Sequence, residues 1–339
     1  MKKYILIPIL IFIILFILYE FTPILDPVID FIVPTTPYVS DNGWLTVDGT
    51  QLKNNKNKDF RLKGVSSHGI QWYSDLLTYD NLKILKEDWN INVFRIAMYT
   101  AENGYISNKE EIKQKVIEIA NTVIDLDMYV IIDWHTLMEH DPNIYKEDAK
   151  LFFDEISNIY KDTPNVIYEI CNEPNGNIVS WDDAIKPYAE EIIPIIRKNS
   201  PNSLIIVGTP NWCKELQPVA KNPLNFDNIL YSCHFYAGTH KQEIRDEVDI
   251  VLEQNLPIII SEWGTTNADG NGNVDIEESK KWIDYLNSKN ISFINWSFSN
   301  KDESSAILNK NYQINNLEDT VSFNDYLTES GNFVKSILK

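Results

Sequence analysis

Two glutamates stand where apolar runs stop. Val166 to Gly176 reads VIYEICNEPNG, a run rich in branched residues that ends at Asn172-Glu173-Pro174. Leu256 to Gly264 reads LPIIISEWG, where Pro257 to Ile260 ends at Ser261-Glu262-Trp263-Gly264. Such density of Val, Ile and Tyr is that of a parallel strand covered on both faces, and Pro174 with Gly176 keeps the first run from continuing. Each Glu is then left at a strand's C-terminal rim, where open α/β sheets and (β/α)8 barrels place their active sites. Alone, Asn-Glu-Pro reads equally well as a helix N-cap or a loop carboxylate, since Pro is common at the first helical position. The second carboxylate decides between these readings. Hydrolysis of a glycosidic bond needs one carboxyl to protonate the departing oxygen and another to act at the anomeric carbon, about 5 Å apart in the retaining version.

Other polar residues collect at comparable places. Three of the five histidines, His68, His135 and His234, fall at strand ends, and Tyr236 shares a face with His234 two residues away. One such histidine would be structural; three converging on two carboxylates point to function. Arg95 in NVFRIAM is a charge inside an apolar strand and needs a partner. It is assigned to Glu262, keeping that carboxylate ionised while Glu173 stays protonated, with a barrel-core salt bridge to another acid as the alternative. Trp72, Trp212 and Trp296 adjoin rim segments, where an indole offers a flat apolar surface to the C–H face of a sugar. No HExxH or paired HxH occurs, so neither a metal nor any cofactor is expected.

Positioning these residues requires a large body. The chain has 339 residues, 44% hydrophobic and 12% aromatic, enough for one barrel-sized domain. A net charge of −19 repels phosphate backbones and argues against nucleic acid as a partner, while a neutral substrate stays compatible. Cys171, Cys213 and Cys233 are odd in number, lack CxxC spacing and read as small buried hydrophobes.

Strands are predicted at 62–65, 92–97, 129–133, 166–170, 203–207, 229–235, 258–260 and 293–296, with helical periodicity between them, as in Leu82, Leu85 and Trp89. Eight strands alternating with helices specify a (β/α)8 TIM barrel, because βαβ crossovers make the strands parallel. A doubly wound open sheet is the runner-up, lowered by the lack of a Gly-rich phosphate loop after the first strand. Turn signals around Trp44, Leu45, Val47 and Leu52 give a lead-in hairpin over 41–60 that could plug the barrel bottom.

Ahead of it, Lys2 and Lys3 precede the apolar run Tyr4 to Tyr19, and no small-residue cleavage site follows. Residues 1–21 are read as a signal-anchor in preference to a cleaved signal peptide, which places the rest of the chain outside the cell, anchored to a membrane or secreted. Pro23, Pro27, Pro34 and Pro37 make 22–40 a stiff spacer, leaving 41–339 as the catalytic domain.

The motifs LKGVSSHGIQWY, VFRIAMYT, YVIIDWH, VIYEICNEPNG, LYSCHFYAGTH, IIISEWGT and INWSFSNKDESSA give the chain a clear likeness. It resembles glycoside hydrolase family 5, specifically the bacterial endo-β-1,4-glucanase branch, from Asp41 to about Leu308. The resemblance implies Glu173 as acid/base and Glu262 as nucleophile, with Arg95, His135, Asn172, His234 and Tyr236 around them. It implies sugar contacts at His68, Trp72, Tyr99, Trp212, Trp296, Lys301 and Glu303. Cys171 stands where many relatives have Ala, and no cellulose-binding module follows, which favours soluble or cell-wall glucan over insoluble cellulose. The expectation is a monomeric retaining endo-β-1,4-glucanase. A β-mannanase or xyloglucanase on the same scaffold, and a cell-surface glucan-binding protein without turnover, are the competing readings.

Overall fold

The computed structural model describes residues 38–313 and 322–339. The N-terminal apolar run and the spacer through Pro37 lie outside the described residues. Among those described, no helix is long and apolar enough to cross a membrane. Tyr38 to Ser40, assigned to the spacer from sequence, join the folded body. Val39–Asn42 forms a helical turn, the Val39 side chain is buried, and Ser40 Oγ donates to Asp127 at 2.6 Å.

A small antiparallel sheet comes next: β1 (Thr46–Asp48), β2 (Gln51–Lys53) and β3 (Asp59–Phe60), the predicted hairpin with a third strand added. Eight parallel strands then close into a barrel. They are β4 (Lys63–Ser67), β5 (Val93–Tyr99), β6 (Tyr129–His135), β7 (Val166–Glu169), β8 (Ile205–Val207), β9 (Ile229–Tyr236), β10 (Ile258–Gly264) and β11 (Phe293–Phe298), with β11 pairing back onto β4. Closure excludes the open-sheet alternative. Helices such as Tyr79–Trp89, Lys109–Asp125 and Lys146–Ile159 return the chain between strands, and their starts are set by side-chain caps where one is present: Thr78 accepts from the Asn81 amide at 3.2 Å.

Two-residue alternation sorts the strands into an outer and an inner face. Phe94, Ile96, Met98, Val130, Ile132 and Trp134 face the helices and join one large buried cluster. Val93, Ile131, Ile167, Ile206, Leu230, Ile259 and Ile294 instead form a second cluster with Val39, Leu45, Leu52, Phe60 and Leu62. The lead-in sheet therefore seals one end of the barrel interior with apolar side chains. Continuing along the same inner face toward the strand C-termini, the residues become polar: Arg95 on β5, Asp133 on β6, Glu169 on β7, Ser232 on β9 and Ser261 on β10, all buried. A polar interior layer is tolerable only if its members satisfy one another, and that requirement shapes the site.

Candidate active site

Glu262 reaches the site through a local irregularity. The pairing of β10 with β9 shifts register between Ile259 and Glu262, and that with β11 shifts between Ile260 and Trp263. A β-bulge breaks the alternation, so Ser261 and Glu262, consecutive in sequence, both contribute to the buried polar interior. Ser261 bonds downward into the polar layer, and Glu262 faces Arg95 and Tyr236. Glu173 follows β7, its backbone amide donating to Thr136 O at 3.1 Å, so that the rim of β7 stays tied to that of β6.

The predicted residues converge. One oxygen of Glu173, one oxygen of Glu262 and a ring nitrogen of His234 all lie within 4.8 Å of one another. Tyr236 donates its hydroxyl to Glu262 Oε1 at 2.8 Å, and Arg95 Nη1 donates to Oε2 at 3.1 Å. Gly264 makes the tyrosine contact possible: a Cβ there would fall 2.4 Å from the Tyr236 ring. His234 Nδ1 lies 2.9 Å from Glu173 Oε1. Arg95 Nη2 bonds Asn172 Oδ1 at 2.6 Å, and Asn172 Nδ2 sits 3.3 Å from His135 Nε2.

Arg95 is shared more widely than the assignment to Glu262 alone. Its Nε bonds Glu169 Oε2 at 2.7 Å and its Nη2 lies 3.0 Å from Asp133 Oδ2, so the core salt bridge and the Glu262 contact coexist on one guanidinium. Burial works against the charge, but Asp133, Glu169 and Glu262 outweigh it and hold Arg95 charged beyond its ordinary range. Glu169, Asp133, Ser232 and Ser261 are the members of this network that sequence reasoning did not place in the site. Glu169 carried a usable signal, a charge within an apolar strand, the same one that exposed Arg95.

Burial pushes Glu173 up to about 7, with Arg95 and then Lys214 pulling the other way. Burial also raises Glu262, and the charge of Glu173 adds to the effect. The ranking of the two acids follows from their donors. Glu262 receives a charge-assisted bond from Arg95 and a hydroxyl from Tyr236, whereas the Glu173 carboxyl meets only the His234 ring, so these contacts stabilise a negative charge on Glu262 more than on Glu173. Burial lowers His135 to about 3 and His234 to about 4, leaving both rings neutral near neutral pH. Asp133, 2.6 Å from His135 Nδ1, is raised by burial to about 7.

Around the carboxylates lies an aromatic rim. Tyr99 stacks on His135 with ring centroids 4.1 Å apart, and Trp296 also stacks with His135 at 5.3 Å. Trp72 and Trp212 are 45% and 42% exposed, so both present open faces. Trp212 sits in a left-handed run with Asn211 and Cys213, φ between 54° and 59°, and its amide bonds Pro174 O at 3.1 Å. Such backbone costs about 1–3 kcal/mol per residue and persists only where surrounding contacts over-determine it. Lys301 bonds Glu303 Oε2 at 2.6 Å and lies 3.2 Å from His68 Nε2, while the Gly69 amide occupies His68 Nδ1 at 2.7 Å. Glu303 is nearly covered, so Lys301 is the polar end of this group that faces outward. All three cysteine side chains are buried thiols.

Glu173, His234 and Glu262 could in principle gather a metal ion. An ion there would have to compete with Arg95 and Tyr236 for Glu262, and the guanidinium charge opposes it.

A closed parallel barrel bearing two buried carboxyls close together at its mouth, one of them clamped by an arginine and a tyrosine, defines a class, the (β/α)8 glycoside hydrolases. Within it the chain belongs to glycosyl hydrolase family 5: the family model described as cellulase matches residues 53–302. It is 54% identical over 248 residues to endoglucanase A of Evansella cellulosilytica, covering 73% of this chain and 51% of that protein. To an endoglucanase of Clostridium saccharobutylicum it is 49% identical over 297 residues, 87% of this chain and 65% of the relative. The chain thus spans between half and two thirds of the length of these relatives. Among solved structures, the catalytic domain of Thermobifida fusca endoglucanase Cel5A superposes with a TM-score of 0.82 at 35% identity, covering 89% of this chain and 99% of that one. A variant of that domain in complex with cellotetraose gives 0.81 at 34% identity, with 89% and 99% coverage.

Proposed function

We propose that this family 5 glycoside hydrolase is an endo-β-1,4-glucanase that retains anomeric configuration. One observation carries the reading: carboxyl oxygens of Glu173 and Glu262 lie within 4.8 Å of each other, the short separation of the double-displacement geometry, where inversion would need room for a water at about 6.5–9.5 Å. Glu262, held ionised, attacks the anomeric carbon. Glu173 protonates the departing oxygen and later deprotonates the incoming water. Asn172 Nδ2 has a long 3.3 Å contact to neutral His135, and a sugar 2-hydroxyl accepting from that amide in its place would strengthen the interaction in the transition state. Trp72 and Trp212 offer exposed stacking faces for neighbouring sugar rings, while Trp296 is buried against His68 and His135 beside the carboxylates.

The test is reducing-sugar release from β-1,4-glucan, mannan and xyloglucan, with the anomer of the first product read by NMR. Glucan is expected to dominate and the β-anomer to appear first. Equal or faster release from mannan, or a first product of α configuration, would replace this reading. A pH profile adds a second expectation. Because Glu173 acts as its acid form and burial holds it near 7, kcat/KM on unactivated glucan should fall about tenfold per unit above that value.

The reading extends to location through residues 1–21: Lys2, Lys3 and the apolar run after them support export with the catalytic domain outside the cell, anchored or secreted. Membrane sedimentation with an intact N-terminus favours the anchor, and an N-terminal sequence beginning near Ser40 in the medium favours secretion.

A further inference from the structure

We propose that Ser261 and Glu169 are positioning residues that fix the tautomer of His234 and thereby hold the catalytic proton on Glu173 in the free enzyme. The inference rests on the reading of Glu173 as acid/base. Ser261 Oγ lies 2.6 Å from Glu169 Oε1, 2.6 Å from Ser232 Oγ and 2.9 Å from His234 Nε2. A hydroxyl has one proton to donate and two lone pairs. The carboxylate cannot donate, so at 2.6 Å the Ser261 proton must point to Glu169, and the two lone pairs accept from Ser232 and from His234. His234 therefore carries its proton on Nε2.

The other nitrogen then has a lone pair facing Glu173 Oε1 at 2.9 Å, and that contact is a hydrogen bond only when Glu173 is protonated. With the opposite tautomer the same heavy atoms would place an N–H against Glu173 and stabilise its carboxylate. Geometry at Glu173 alone is thus compatible with either protonation state, and the hydroxyl wiring beneath it selects one. Burial keeps the imidazolium out of the choice by lowering His234 to about 4. The charged and titratable groups facing the pair include Arg95, Glu262, Glu169, Lys214, Asp133, His135 and His240. Arg95 Nε occupies the second oxygen of Glu169 at 2.7 Å, which keeps Oε1 turned toward Ser261.

Glu169→Gln tests this without removing a heavy atom. Arg95 Nε requires the amide oxygen, so the amide NH2 is turned to Ser261, whose proton is released from position 169 to His234 Nε2 or to Ser232 Oγ. In 15N-histidine NMR the full-length wild type should show Nε2 protonated and Nδ1 unprotonated, with that preference weakened or reversed in Glu169→Gln. Ser261→Ala, which removes the acceptor and tests the same wiring should Glu169→Gln fold poorly, should lose the Nε2 preference. In both variants the basic limb of kcat/KM on unactivated glucan should move down by roughly one pH unit. Ser261→Thr, which keeps the hydroxyl, should restore the wild-type limb. Protonated Nδ1 in the wild type, or an unchanged pattern in both variants, would overturn the wiring. A weakened or reversed preference with an unmoved limb would leave the wiring intact and overturn Glu173 as the acid.

Discussion

Glu262→Ala is expected to lose hydrolysis of every substrate by at least about 10⁴-fold, because without the nucleophile no covalent intermediate forms. Glu173→Ala should behave differently according to the leaving group. On unactivated glucan it should lose about 10²–10⁴-fold, the worth of positioned proton transfer. On an aryl cellobioside whose phenolate departs without protonation, glycosylation of Glu262 should proceed, and the intermediate should then accumulate for want of a base. Added azide, which attacks without needing a base, should speed turnover and give the β-glycosyl azide. The structure supplies the reason for expecting this division: Glu262 has a cation and a phenol fixing both its oxygens, while Glu173 has one neutral histidine. Rescue of Glu262→Ala by azide with an α-glycosyl azide product, while Glu173→Ala stays inert toward the activated substrate, would reverse the two roles.

Much of this arrangement is legible in the chain because barrel strands are buried on both faces and so appear as uninterrupted apolar runs. All eight strand positions read from such runs correspond to observed strands. Six of the strands run past the predicted C-terminal ends, β5, β6 and β10 into Met98-Tyr99, Trp134-His135 and Trp263-Gly264, since the strand continues after its composition has become polar, whereas β7 stops one residue short and β8 ends as predicted. The acids were visible because each interrupts hydrophobic sequence abruptly. The polar layer beneath them was harder to see. Glu169 is flanked by Tyr168 and Ile170 and meets the same criterion as Arg95, whereas Ser232 and Ser261 are small residues whose importance lies wholly in their partners. Strict alternation would also send Ser261 and Glu262 to opposite faces, and nothing in IIISEWG announces the bulge that overrides it. The left-handed turn that presents Trp212 is likewise a tertiary product, tied to Pro174 across the barrel rim.

Replacing Arg95 by Met should be the most destabilising single change in the barrel interior, about 3–5 kcal/mol at neutral pH, because it leaves Glu169, Asp133 and Glu262 without their common cation. The size of the loss should depend on pH in a definite direction. Without the guanidinium, the folded-state pKa values of Asp133 and Glu262, both already raised by burial and both pulled down by Arg95, rise further above their unfolded values near 4, and Asp133 stands near 7 even with Arg95 present. A carboxyl raised in the folded state favours folding fully below its unfolded pKa and loses that contribution as pH climbs through the folded value. The deficit of the variant relative to wild type should therefore be largest above pH 7 and shrink toward pH 5, where Asp133 and Glu262 take up protons. Urea unfolding at pH 5 and pH 7.5 measures it directly. Arg95→Lys should recover little, since one ammonium cannot span the 2.7 Å contact to Glu169, the 3.0 Å contact to Asp133 and the 3.1 Å contact to Glu262 at once. A deficit that stays constant with pH would mean that packing around the side chain, and not its charge, holds this layer together.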